Sequence, residues 1–118
     1  MLFRSFFDIR GTRIAFLAYH TFDQFATVAS DTTPGQAMVR FGIYLPPPNL
    51  FREEVGLMQE DIRRVRTQAD VVIVSWHWGQ SMTSQLAVHQ PYLGHLAIDA
   101  GADLVLGHHA HVLQGIEL

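Results

Sequence analysis

Histidine supplies the chemistry in this sequence. His108, His109 and His111 stand within four residues of one another, and His77 sits between Trp76 and Trp78. In an extended chain, residues i and i+2 project to the same side. His109 and His111 can therefore meet one centre while His108 points away. Neutral imidazole suits zinc, manganese, iron and nickel, and His77 would complete a three-histidine set. The residues thus predict a divalent metal centre with His77, His109 and His111 as ligands. The competing reading for any single histidine is structural, a packed or hydrogen-bonded ring. His20, His89 and His95 take that reading, although His20 ends an apolar strand and is the best outsider for a place beside the others. The chain has no cysteine, so thiolate zinc sites and disulfides are excluded.

These histidines need elements to position them. Residues 70–75, Asp-Val-Val-Ile-Val-Ser, read as a buried strand that runs straight into His77, and Leu104-Val105-Leu106 reads as a second that runs into the cluster. In open α/β sheets, sites gather beyond the carboxyl ends of the strands. Both groups then share a rim if the two strands are parallel, and Gly107 gives the backbone room to turn. Trp76 and Trp78 would share the face opposite His77, as core or cavity wall.

A helix after Asn49 carries Phe51, Val55, Met58, Ile62 and Val65 on one apolar stripe, with Asn49 as its cap and Glu53 and Glu54 at its positive end. Arg63, Arg64 and Arg66 at the far end read as a solvated helix terminus. A second helix is predicted to begin near Gln90-Pro91 and end at Ala100, with Gly101 as its C-terminal cap. Upstream, residues 2–7 and 13–19 flank Gly11 as a β-hairpin. Residues 20–49 read mostly as loop. Residues 112–118 are predicted as one more strand. The alternation of strands and helices argues for a layered α/β sheet.

Composition narrows the function. The chain has 118 residues, 48% hydrophobic and 16% charged, which suits one globular domain. A net charge of −3 gives no basic stripe for nucleic acid. No apolar run approaches the roughly 20 residues needed to span a bilayer, so no membrane segment is expected in this chain. The amino terminus makes a poor signal peptide.

Longer stretches resemble a known family. Asp70 to Gly79, read with the run from Ile98 through Gly101-Ala102-Asp103 to His108-His109-Ala110-His111, is similar to two segments of the bacterial capsule-synthesis family associated with poly-γ-glutamate production. Gly11 to Tyr19 resembles the strand that precedes them. The fold of that family is related to the calcineurin-like metallophosphoesterases. The resemblance implies a layered α/β/β/α sandwich with a metal centre on one rim, for Mn, Zn or Fe ions. It places His77, His109 and His111 in the ligand positions and makes His108 the second choice. Ala110 stands where proline is usual, a mild departure.

The family's Gly-Asp, Asn-Leu-Glu and Asn-His segments are absent from this sequence. A dinuclear centre needs carboxylates to bridge hard cations. Asp99 and Asp103, the carboxylates near the histidines in sequence, match no family ligand. Residues 1–118 are accordingly expected to form a single partial domain, the carboxy-terminal half of the sandwich, whose partner is the missing amino-terminal half. The resemblance implies a cell-envelope location in a bacterium and an anionic polymer or phosphoester substrate. Two functions follow from it, a metal-dependent phosphoesterase-like hydrolase and a non-catalytic component of polymer assembly. A third expectation is that the chain alone is inactive.

Overall fold

A computed structural model of the chain describes residues 4–21, 32, 36–40 and 50–118. The elements are β1 (Arg4–Ile9), β2 (Thr12–His20), α1 (Arg52–Arg66), β3 (Val71–His77), α2 (His89–Ala100) and β4 (Leu104–His108). They form one four-stranded sheet in the order β1-β2-β3-β4. β1 is antiparallel to β2, while β2, β3 and β4 run parallel.

The expected hairpin is present. Arg10 and Gly11 both take positive φ, 51° and 85°, the pattern of a two-residue turn whose twist matches that of the strands. The two crossovers, through α1 and through α2, step across the sheet in the same direction. Crossovers of the usual right hand then put both helices on one face. Val55, Met58, Ile62 and Val65 of α1 and Leu93, Ala97 and Ala100 of α2 share a single core with Ala15, Leu17, Val72, Val74 and Trp76. The α2 boundaries follow the sequence expectation closely. Gly101 ends the helix at φ 118°, and the Ala102 N–H closes onto the Ala97 carbonyl at 3.0 Å.

Several expectations are corrected. α1 begins at Arg52 with Phe51 as its N-cap and no side-chain cap bond, and Asn49 lies outside the described residues. Phe51 is exposed, so the buried stripe starts at Val55 and takes in Asp61, whose carboxyl burial pushes up. Arg66 is more than a solvated end, because it pairs with Asp103 and donates to the Asp70 carbonyl at 3.0 Å, tying α1 to the starts of β3 and β4. Residues 112–118 form no strand. Their apolar side chains Leu113, Ile116 and Leu118 are almost fully exposed. Gly107 lies inside β4 rather than in a turn, and a Cβ there would stand 2.4 Å from Trp78 Nε1, so its role is to admit the indole. Most of residues 20–49 lies outside the described residues. Within it, Met38 makes a parallel bridge with His20, so the expected loop adds local pairing to the end of β2.

The other face of the sheet differs. Ile14, Phe16, Ala18, Val71 and Ile73 are half-buried there, and Leu104 and Leu106 are exposed. No helix among the described residues packs on it. One mixed sheet with one helical layer fits part of an α/β metallophosphatase-like sandwich.

Candidate functional site

Three parallel strands deliver their carboxyl ends to one rim, and each ends in histidine. The register pairs His20 with His77 and His77 with His108. Residues paired across parallel strands project to the same face, so these three form a rung on the face opposite α1 and α2. The His20 and His77 rings are stacked, with centroids 4.6 Å apart and planes 8° apart. His108 meets His77 edge-on at 5.1 Å and 77°. A cleft of about 220 Å³ opens beside this rung.

Beyond His108 the chain bends. His109 has φ 103° and His111 φ 58°. The extended-strand argument for pairing these two is therefore corrected, as is the expectation that His108 points away. The turn brings them together instead. His109 comes 4.4 Å from His77, and His111 lies 5.8 Å from His109, centroid to centroid. Left-handed backbone at non-glycine residues costs on the order of 1–3 kcal/mol and concentrates at functional sites. All three predicted ligands and the second choice thus adjoin one another, with His20 added. The register that places His20 is long-range; its only sequence signal was its position at the end of an apolar strand.

The loops that carry these rings are bonded to each other. The Trp78 N–H donates to the His108 carbonyl at 3.1 Å, and the Met82 N–H to the Ala110 carbonyl at 2.7 Å. Ser75 Oγ lies 3.2 Å from His108 Nε2, and Ser81 Oγ lies 3.1 Å from His109 Nε2. Neither serine stood out in the sequence. Buried Gln90 bonds the Gln114 amide at 2.9 Å, which fastens the segment after the histidines to the start of α2. Trp76 and Trp78 stack at 5.5 Å on the opposite, buried face, as expected of a core wall.

Burial, and then the neighbouring histidines led by His20, hold the His77 pKa below its ordinary value. A neutral ring keeps a lone pair free for a cation. Two observations bear on whether a metal fits. The donors are imidazoles of the right kind, crowded at one rim. Yet among the described residues no group of three His, Asp or Glu side chains is arranged so that it could already hold an ion. The carboxylates do not help. Asp103 sits at the opposite end of β4, where it accepts from the Val72 N–H at 2.8 Å, and Asp99 is on α2. His89 and His95 are also on α2, and His95 lies 2.9 Å from Glu117. Among the described residues no helix is long and apolar enough to cross a membrane.

Comparison with known proteins agrees with this architecture. The capsule biosynthesis protein CapA of Bacillus anthracis is 26% identical over 111 residues, which is 94% of this chain and 25% of that protein. The PGA biosynthesis protein CapA of Bacillus subtilis (strain 168) is 31% identical over 114 residues, 97% of this chain and 26% of that protein. The chain therefore spans about a quarter of the length of the curated relatives it matches. The profile of the bacterial capsule synthesis protein PGA_cap matches residues 4–118. With nearly its whole length matched, the chain belongs to the PGA_cap family of bacterial capsule synthesis proteins.

Proposed function

We propose that this chain serves bacterial capsule biosynthesis, of poly-γ-glutamate type, and contributes the histidine wall of a divalent metal centre. The observation that carries the second part is the convergence of His77, His109 and His111 at the rim where three parallel strands end. The relatives' names support the first part.

In this reading His77, His109 and His111 hold the ion, with His108 as the alternative. Manganese, zinc or iron bound there supplies Lewis acidity toward a phosphoester or a related acyl or phosphoryl group. The protein's own part is to present neutral rings. The Ser81 hydroxyl oxygen can accept a hydrogen bond from the Nε2–H of His109, leaving the Nδ1 lone pair free for an ion, and Ser75 can do the same for His108. The substrate is an anionic polymer or a phosphoester. A complete hydrolytic centre would also need carboxylates, which the histidine set among the described residues lacks, and the chain alone is expected to be inactive.

A second reading is favoured by the lack of a carboxylate in the histidine set among the described residues. There the family member is a non-catalytic component that binds or assembles the polymer. Equilibrium dialysis of the chain against Mn²⁺ and Zn²⁺, paired with poly-γ-glutamate binding by wild type and H109A/H111A, separates the two. Loss of metal and of hydrolytic activity in a longer protein, with polymer binding retained, supports a hydrolytic metal centre. Polymer binding with neither metal uptake nor turnover supports the assembly role and rejects the metal centre.

A further inference from the structure

We propose that His20 is a positioning residue for this rim, fixing the ring plane of His77 by stacking and not by ligating the ion. The inference rests on the metal-centre reading above. The two rings are stacked face to face, 4.6 Å apart and 8° from parallel, so no nearby point lies in both ring planes, where the nitrogen lone pairs point. His109 and His108 differ in this respect. Their rings are inclined to His77 by 46° and 77°, and inclined rings can aim nitrogens at a common centre.

The stack is built on backbone bonded from both sides. The His20 N–H donates to the Ala37 carbonyl at 3.0 Å, and the His20 carbonyl accepts from the Val39 N–H at 3.0 Å. The next residue, buried Thr21, donates its N–H to the His77 carbonyl at 3.1 Å. The two backbones are thus held in register at the very residues whose rings stack. Ser75 on His108 and Ser81 on His109 brace their rings by hydrogen bonds. His77, whose ring meets three others, is braced by a flat face. An orientation fixed before binding spares the ordering cost that an ion would otherwise have to offset.

Such a role depends on the ring and not on its nitrogens, and Phe therefore substitutes for His. The test compares H20A and H20F with the unsubstituted chain by two readouts. One is the ring-current shift of the His77 ring protons in the metal-free chain, followed by ¹H–¹³C correlation NMR. The other is Co²⁺ affinity from absorption titration. The expected result is that H20A loses the shift and weakens Co²⁺ binding by about tenfold, the lower end for residues that orient ligands. H20F keeps the shift and binds close to wild type. Weakening in H20F equal to that in H20A would overturn the proposal and make His20 a ligand. An unchanged H20A would overturn it outright. If the unsubstituted chain bound no Co²⁺, the metal reading would fall, while the metal-free shifts would still decide whether the stack exists.

Discussion

The two faces of the sheet are equally apolar in sequence and differently covered in the structure. Under α1 and α2, Ala15, Leu17, Val72, Val74 and Trp76 are completely buried. On the other face Phe7, Ile9, Leu104 and Leu106 are between 44% and 54% exposed, and this face carries the rung of His20, His77 and His108. Strands with apolar residues on both faces belong to sheets covered on both sides. The covered face holds the buried core, and the other face combines the histidine rings with a half-exposed apolar surface.

The largest break in that comparison is W76A. Trp76 is a fully buried side chain at the centre of the covered face, packed on Tyr19 and Trp78. Its truncation should cost about 3–5 kcal/mol, much of what a domain of this size has. Urea unfolding followed by far-UV circular dichroism would show the midpoint collapse.

Charge on the other face should act differently. L104K/L106K places two lysines on an exposed edge strand. Its effect on the unfolding free energy should stay within about 0.5 kcal/mol per site, as for other exposed positions. Self-association in sedimentation velocity should fall, because charge on an edge strand opposes strand-to-strand pairing. A midpoint loss as large as that of W76A would erase the distinction between the faces.

The same contrast separates what the sequence reveals from what it hides. The hairpin turn at Gly11, both crossover helices and the strands ending at His77 and His108 follow from local patterns of apolar spacing and caps. The α1 cap was misplaced because Asn49 is a good capping residue and Phe51 is not, yet the chain uses Phe51 without a side-chain bond. The strand expected over 112–118 had the composition of a strand, yet the segment is fastened through the Gln114 side chain to Gln90 and the Thr83 carbonyl instead of through a backbone ladder. The rung was hidden for a deeper reason. His20 and His77 are distant in sequence, and only the β2–β3 register makes them adjacent. The positive φ of His109 and His111 likewise cannot be inferred from spacing, and it replaced the extended geometry that the His-x-His pattern suggests. The histidines singled out from the sequence do come together, but through a turn and not through extended backbone.

Acid should act weakly on both halves of the contrast. Burial holds the pKa of His77, on the open face, and of His89, on α2, below the ordinary value. For a histidine the unfolded chain then takes up the proton first. The stability these neutral rings contribute is fully present above about pH 6.5, the ordinary histidine pKa, and is lost as pH falls through that value toward the folded pKa. Thermal midpoints of the metal-free chain should decline as pH is lowered from 7.5 to 5.5, and H77A and H89A should each flatten the decline.

The central claim is that His77, His109 and His111 are the metal-binding wall. Zinc K-edge X-ray absorption on the zinc-loaded chain tests it most directly, because imidazole leaves multiple-scattering features that oxygen ligands lack. The account predicts imidazole scattering from at least two rings, reduced in H77A and in H109A/H111A and unchanged in H95A. An all-oxygen shell, or imidazole scattering that survives both rim variants, would contradict it.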